Sequence, residues 1–329
     1  MAYLGKLDHY DPLYEILYYQ VFPYVNSPVF HVTKMSKRVY KYTEEKTGSS
    51  VIGKFFQLDD PKYERIERIK GEYDNLHKIR SYGFDTRPNY VARPITRNES
   101  IGLALVEEFI YGCDLDYYIK RAVYNNDSYA LHHKLWQLSS FLFSLHKKTE
   151  LHESANLDSV STYFLKILYK LLRQTLICET EVDYFIKLMN KWLHSGILQT
   201  GSSIAHGDVT PTNFIFTDSG DVVAIDLERI KRSDIAYDIG MVCGELKHSF
   251  LWRTGDINAS EGFIRSFLKS YSSNFSDRHE AFRSITSRSP FYMALTELRI
   301  ARNDFLDWNH RKRLINEALQ CLKWGLKHK

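Results

Sequence analysis

The chain has 329 residues, of which 44% are hydrophobic and 26% are charged. This composition is that of a globular protein, so it excludes wholesale disorder and a fibrous repeat. The 44 basic and 40 acidic residues leave a formal net charge of +4, which is too small to indicate nucleic acid as a partner. The length predicts two domains, or one domain with two lobes.

Four cysteines, Cys113, Cys178, Cys243 and Cys321, lie far apart and form no CxxC pair. This spacing predicts free thiols in a reducing compartment and argues against a structural zinc site. The N-terminus lacks the features of a signal peptide, and no stretch reaches transmembrane length. We therefore expect a cytoplasmic protein without a membrane span. The sequence does not predict an oligomeric state.

The first elements predicted are a short helix and a set of strands. Asp11 precedes Pro12, and this pair predicts a helix start because aspartate caps helices and proline is favoured at their first position. Over residues 29–56, β-branched and aromatic residues alternate with polar ones, with a break at 47–50. This pattern predicts antiparallel strands joined by a turn.

A second helix and further strands complete the first part of the chain. Asp60 and Pro61 predict the start of this helix, and Glu72 lies on it. Two more strands are predicted at residues 90–95 and 101–109. The first 110 residues or so therefore form a sheet-rich unit.

The rest of the chain is mostly helical, most clearly over residues 128–147, where leucines form an apolar stripe. The exception is a hairpin signal, in which the apolar segments 214–216 and 222–225 flank a turn. The predicted fold class is α+β and two-lobed. A small antiparallel-sheet N-lobe covers residues 1–110, and a larger, mostly helical C-lobe covers residues 111–329.

Three polar side chains around this hairpin carry the predicted chemistry. The segment HGDVTPTN runs from His206 to Asn213 and leads into the first strand, and Asp226 follows the second. Phosphoryl transfer needs a carboxylate to orient the attacking hydroxyl and oxygen ligands to hold magnesium. Singly, these residues read as turn caps and a strand end. Together, Asp208, Asn213 and Asp226 predict a phosphoryl-transfer site.

The motif HxDxxxxN followed by an aspartate resembles that of the aminoglycoside phosphotransferase and choline kinase superfamily, which has a protein-kinase-like fold. The resemblance implies an ATP-dependent kinase in which Asp208 is the catalytic base. It also implies that Asn213 and Asp226 bind Mg²⁺. The later segment DIAYDIG resembles the DxxxD segment of the family, and this makes Asp238 a structural support of the catalytic loop.

The N-lobe carries a second part of the resemblance, which concerns the nucleotide. The segment VIGKFF resembles the strand whose lysine contacts the α- and β-phosphates, so Lys54 is the candidate and Glu72 its ion-pair partner. The segment VEEFIYG resembles the interlobe hinge. The resemblance implies that backbone groups near Glu108 and Ile110 hydrogen-bond adenine.

Two further features bear on the phosphate clamp and on the acceptor. The region 30–39, which would cover the phosphates, contains no glycine, so Lys37 or Arg38 would substitute by charge or the loop would be flexible. The segment 147–203, which precedes the catalytic loop, is helical in pattern. It resembles the acceptor-binding insertion of aminoglycoside and choline kinases, which favours a small-molecule acceptor over a protein.

Several alternatives stay open at this point. The acceptor hydroxyl could belong to a sugar, an amino alcohol, an aminoglycoside-like compound, a glycolipid core or an RNA. A catalytically weak nucleotide-binding pseudokinase is a second class, suggested by the missing glycines. A metallohydrolase using His206 and Asp208 with His132, His133 or His146 is a third, although no HExxH spacing supports it.

Overall fold

The structure, a computed structural model, describes residues 1–57 and 63–328. Its strands and helices are those of an α+β protein, as predicted. The chain divides into two units, and residues 215–229 return to the first of them, which the sequence did not predict. The first unit comprises Met1–Gly112 with Ile215–Arg229, and the second comprises Cys113–Phe214 with Ile230–Lys329.

The first unit contains an antiparallel sheet of six strands, which in spatial order are residues 2–6, 30–36, 39–44, 50–55, 103–108 and 94–98. One face of the sheet packs on residues 12–21 through buried apolar residues that include Leu17, Phe30 and Val106. The elements up to Gly112 are β1 (Ala2–Lys6), α1 (Pro12–Ile16), a π-helical turn (Leu17–Val21), β2 (Phe30–Ser36), β3 (Val39–Glu44), β4 (Ser50–Phe55), α2 (Tyr63–Ser81), β5 (Asn89–Val91), β6 (Pro94–Asn98), a 3₁₀ turn (Glu99–Ile101) and β7 (Leu103–Glu108).

Most of the local predictions for this unit are confirmed. The Asp11 carboxylate accepts a hydrogen bond of 2.9 Å from the Leu13 amide and so caps α1. Strands β2, β3 and β4 fill the region predicted as antiparallel strands. The predicted helix start at Asp60 and Pro61 lies outside the described residues.

The prediction of one strand over residues 90–95 is wrong, because two strands with different partners share this stretch. Strand β5 pairs in parallel with residues 222–224, and the Ala92 amide donates to the Ala224 carbonyl at 3.1 Å. Strand β6 then begins at Pro94 and pairs antiparallel with β7. The chain changes sheets at residues 92 and 93, and the partner of β5 is too distant in sequence to be read from a local pattern.

The elements from Cys113 onward are mostly helical. They are β8 (Cys113–Asp114), α3 (Leu115–Tyr124), α4 (Ser128–Lys148), β9 (Leu151–Ser154), α5 (Leu157–Arg173), α6 (Glu179–Leu193), β10 (Gly201–Ala205), a 3₁₀ turn (Pro211–Asn213), β11 (Phe214–Phe216), β12 (Val222–Ala224), β13 (Lys231–Ser233), α7 (Ala236–Thr254), α8 (Glu261–Ser272), α9 (Arg278–Ala301) and α10 (Trp308–Lys327).

The predicted hairpin is present as β11 and β12. Its turn is closed by hydrogen bonds from the Thr217 amide to the Asp221 carbonyl, at 3.1 Å, and from the Gly220 amide to the Thr217 carbonyl, at 3.0 Å. The parallel pairing of β12 with β5 explains why residues 215–229 belong to the first unit. The hairpin delivers Asp226 two residues beyond the end of β12.

In the second unit, α7 packs closely against α9. A Cβ atom at Gly244 would lie 2.8 Å from Cβ of Thr296, so only glycine permits this approach. The predicted helical insertion is confirmed as α5 and α6, whereas β9 and β10, which flank them, were not predicted. Over residues 1–57 and 63–328, no helix combines the length and apolarity needed to cross a bilayer.

Candidate active site

The predicted contact between Lys54 and Glu72 is present in the first unit. The ammonium Nζ of Lys54 lies 2.6 Å from Oε1 of Glu72 and 3.1 Å from Oε1 of Glu107. Glu107 is the cross-strand partner of Ile52, two residues before Lys54, so both charged side chains lie on one face of the sheet. The sequence did not predict Glu107. A nucleotide-binding role for Lys54 and Glu72 stays a prediction.

One ammonium therefore faces two buried carboxyl groups. Burial alone would lower the pKa of Lys54, but the carboxylates of Glu107, Glu72 and Asp226 outweigh it and hold that pKa above its ordinary value. Burial raises the pKa of both Glu72 and Glu107, and Lys54 opposes that rise. Lys54 thus stays charged, and the carboxyl pair is the part of the cluster that takes up a proton first.

Asp226 lies in a backbone conformation that is rare outside glycine. Its φ is +62°, in the left-handed region, where aspartate is better tolerated than most residues. Its carboxylate is half-buried and acts electrostatically on Lys54 and Glu72. The structure therefore places Asp226 with the lysine cluster of the first unit. Positive φ at a polar residue is common at functional sites.

In the second unit, Asp238 holds the predicted catalytic loop. Its carboxylate accepts hydrogen bonds from the amides of His206, at 2.8 Å, and Gly207, at 3.1 Å. The ring Nε2 of His146 lies 3.1 Å from the same carboxylate. Burial by itself raises the pKa of Asp238, but the His146 contact and the loop amides reverse this and lower it. Asp238 is thus an ionised anchor for the loop, as the sequence predicted.

Asn213 closes the loop from its other end. Its Nδ2 donates to the Asp208 carbonyl at 2.9 Å, and the Thr210 amide donates to the same carbonyl at 2.8 Å. Because the amide nitrogen is used in this way, the group that Asn213 offers to a ligand is its side-chain oxygen. That oxygen is a hard donor of the kind that Mg²⁺ prefers, and so is the carboxylate of Asp226 in the first unit. Each residue has the chemistry of the predicted ligand, and a metal site that they share stays a prediction.

The Asp208 carboxylate has a partner that sequence reasoning missed. Nη1 of Arg299 donates to Oδ1 of Asp208 at 2.6 Å, and Nη2 donates to Oε1 of Glu245 at 2.5 Å. The close packing of α7 on α9 brings Glu245 and Arg299 together. An arginine among the apolar residues of α9 was the signal available in the sequence. Arg299 lies 91 residues from Asp208, however, so the sequence does not show that the two side chains meet.

Glu245 is expected to give the protein a pH-dependent stability. Burial raises its pKa to about 7, although Arg299 opposes the rise. An acid whose pKa is raised in the folded state makes the protein less stable as pH rises from the pKa of that acid in the unfolded chain to its pKa in the folded protein. In the wild type, we therefore expect Glu245 to lower the free energy of unfolding by about 2 to 3 kcal/mol between about pH 4.5 and pH 7. We expect Glu245→Gln to remove this decline. Urea unfolding across this range measures it, and identical pH profiles in variant and wild type would contradict it.

The hinge residues and the β2–β3 turn have more limited support. The Glu108 amide donates to the Arg93 carbonyl at 3.1 Å, and Ile110 lies just beyond β7, so their contacts with adenine stay predictions. Arg38 has a φ of +65° in the turn and its side chain hydrogen-bonds Gln57. Lys37 is exposed. The turn is thus an ordered connection whose side chains are basic.

The histidines do not support the metallohydrolase alternative. Nδ1 of His146 lies 2.7 Å from the Tyr271 hydroxyl while Nε2 faces Asp238, so both of its ring nitrogens have partners. The ring of His132 stacks on Phe263, with 4.6 Å between centroids. In the described part of the chain, no cluster of three or more His, Cys, Asp or Glu side chains has the geometry to hold a metal ion.

Part of the chain matches the profile of a known protein family. The profile of the APH family, described as "Phosphotransferase enzyme family", matches residues 137–282. No curated protein sequence matches the chain. The predicted resemblance to this phosphotransferase family is thereby confirmed over these residues.

Solved structures show the same fold at low sequence identity. An ethanolamine kinase from Plasmodium vivax is 15% identical with a TM-score of 0.62, over 97% of this chain and 89% of that one. A choline kinase from Streptococcus pneumoniae is 17% identical with a TM-score of 0.57, over 94% and 99%. The streptomycin–ATP–APH(2")-IIa ternary complex is 13% identical with a TM-score of 0.56, over 95% and 97%. The predicted protein-kinase-like fold is confirmed.

Proposed function

From the resemblance to the phosphotransferase enzyme family, we propose that this protein transfers the γ-phosphoryl group of ATP to a hydroxyl of a small-molecule acceptor. The observation that carries the proposal is the loop from His206 to Asn213. Asp238 and Asn213 fix its backbone at both ends, so that the Asp208 carboxylate projects from a rigid support. Rigid placement of the reacting groups is the main contribution that a protein makes to phosphoryl transfer.

In this proposal Asp208 is the catalytic base. The acceptor oxygen bonds to the γ-phosphorus as the bond from that phosphorus to the β-phosphate oxygen breaks. The electron pair of the broken bond leaves with ADP, and the hydroxyl proton passes to the Asp208 carboxylate. The side chain of Asp208 is 14% exposed, which leaves it accessible to an acceptor.

The remaining residues bind the nucleotide and the metal. Lys54, oriented by Glu72, contacts the α- and β-phosphates, and backbone groups at Glu108 and Ile110 bind adenine. Mg²⁺ held by Asn213 and Asp226 would supply positive charge against the phosphates. The names of the structural neighbours include ethanolamine, choline and streptomycin, and these compounds support a small-molecule acceptor.

A catalytically weak nucleotide-binding protein is the second candidate. The observation that favours it is the β2–β3 turn, where Lys37 and Arg38 stand in place of glycines. Without glycine, backbone amides approach phosphates less closely, which would weaken the clamp on the nucleotide. Binding of ATP without turnover across a broad range of hydroxyl compounds would support this candidate.

Replacement of Asp226 tests the main proposal. We expect Asp226→Asn to lower Mg²⁺-dependent phosphoryl transfer by at least about 100-fold, because a metal ligand loses its charge. Transfer is measured as ADP released and as phosphorylated acceptor, with and without Mg²⁺. The matched control is Asp218→Asn, which removes an exposed carboxylate from the hairpin turn. Wild-type activity in the Asp226 variant, or activity without any divalent cation, would contradict the proposal.

A further inference from the structure

We infer that the acceptor carries an anionic group next to the hydroxyl that is phosphorylated, and that Arg299 binds this group. The inference rests on the proposed function, since it concerns the acceptor of the same reaction. It narrows that function to hydroxyl compounds bearing a carboxylate or a phosphate. It separates this protein from kinases whose acceptors are amines or quaternary ammonium compounds.

Arg299 lies directly beside the proposed catalytic base. Its guanidinium donates a hydrogen bond of 2.6 Å to the Asp208 carboxylate, so any hydroxyl that approaches Asp208 meets this cation. The Arg299 side chain is 13% exposed, so it is not fully closed off from solvent. Its second branch is fixed by Glu245. The fork is therefore oriented before a ligand arrives.

Further basic side chains lie next to the residues that surround Arg299. Tyr163 and Tyr237 lie close enough to Arg299 to interact with it electrostatically. Each of these rings has a cation over its face, with Lys231 Nζ 3.6 Å from the centroid of Tyr237 and the Arg302 guanidinium 5.7 Å from that of Tyr163. Lys231, in β13, and Arg302, just after α9, thus add positive charge next to the two tyrosines that interact with Arg299.

The carboxylates nearby do not reverse this field. Asp238 is bound by the loop amides and by His146. Asp208 and Glu245 are both bound by Arg299, and burial raises the pKa of Glu245 to about 7, so near neutral pH part of the Glu245 population carries no charge. A carboxylate that is already neutralised by its partners attracts a cationic ligand only weakly.

An anionic acceptor would allow Arg299 to exchange Asp208 for a new partner. In the structure its Nη1 is hydrogen-bonded to Asp208, which must accept a proton from the acceptor during the reaction. An anionic group on the acceptor, either a carboxylate or a phosphate, offers the guanidinium a replacement partner with negatively charged oxygens. A neutral acceptor offers a weaker replacement, and a cationic one is repelled. An anionic acceptor would therefore be the one that releases Asp208 for catalysis.

The test compares acceptors that share a skeleton and differ in charge. Wild-type protein is assayed with ATP and Mg²⁺ on two sets, which are glycerol, glycerate and serinol, and glucose, glucuronate and glucosamine. We expect kcat/KM to be at least about 100-fold higher for the anionic member than for the cationic member of a set that is turned over. Equal or faster turnover of the cationic member would overturn the inference and leave the proposed function intact.

Variants of Arg299 add a readout that does not depend on turnover. Inorganic phosphate is titrated into protein saturated with ADP and Mg²⁺, so that the nucleotide site is filled. We expect Arg299→Gln to weaken phosphate binding by about 100-fold and Arg299→Lys to weaken it less. The matched control is Arg283→Gln, on the exposed part of the same helix. Equal phosphate binding in wild type and Arg299→Gln would overturn the inference.

The proposed function and the anion site at Arg299 can be contradicted separately. Phosphate binding that depends on Arg299, with no turnover of any acceptor, would contradict the proposed function and support an anion site at Arg299. Turnover that prefers amines would contradict the anion site alone. Absence of both Arg299-dependent phosphate binding and turnover would contradict both.

Discussion

Asp208→Asn is expected to lower kcat for phosphoryl transfer by about 100- to 10,000-fold, because the variant has no carboxylate to accept the hydroxyl proton. The fold should survive. The loop backbone is held by Asp238, and by Asn213 through the Asp208 carbonyl, and none of these contacts uses the Asp208 side chain. An amide oxygen can still accept a hydrogen bond from Arg299. Steady-state kinetics and thermal unfolding of both proteins measure the two effects.

The expected pattern separates loss of chemistry from loss of structure. ATP affinity, measured by calorimetry, should change little in Asp208→Asn, because Lys54 and the hinge lie elsewhere in the chain. Asp218→Asn in the hairpin turn again serves as the control for a lost carboxylate. A kcat within about threefold of wild type would show that Asp208 is not the base, since general-base catalysis contributes far more than this.

The parts of the site that could be predicted from sequence are those built from one local segment. His206, Asp208 and Asn213 share a loop, and the hairpin that follows was visible from its apolar segments and turn residues. Within such a segment, spacing along the chain determines spacing in the structure. The pairing of Lys54 with Glu72 crosses more structure, and it was predicted only through the order of elements in the family that the chain resembles.

Arg299 and Glu107 could not be predicted in the same way. Arg299 reaches Asp208 because Gly240 and Gly244 on α7 allow α9 to pack closely, and no local pattern reports which helices pack together. Glu107 lies within the buried strand β7 and inside the segment assigned to the hinge. An acidic residue that is 3% exposed in a central strand signals a buried partner, but the sequence alone does not show that it is buried.

Substitution of Lys54 should strongly destabilise the first unit. Lys54→Met leaves Glu72 and Glu107 buried without the ammonium that lies 2.6 Å and 3.1 Å from them. Removal of one partner from a buried ion pair costs about 3 to 5 kcal/mol, because the remaining charge is uncompensated. We expect a loss of this size in the free energy of unfolding at about pH 8. Lys78→Met, an exposed lysine on α2, should change it by less than about 0.5 kcal/mol.

The pH dependence of this loss identifies its cause. Burial already raises the pKa of Glu72 and Glu107 against the opposition of Lys54, and removal of the lysine raises both further. Carboxyls with raised folded-state pKa values make the protein less stable as pH rises from their unfolded pKa to their folded one, and the effect disappears below the unfolded pKa, where both states are protonated. The deficit of Lys54→Met relative to wild type should therefore shrink between about pH 8 and pH 5. An equal deficit at both values would mean that the lysine acts through packing of its alkyl chain, and the charge cluster would then not be what stabilises this face of the sheet.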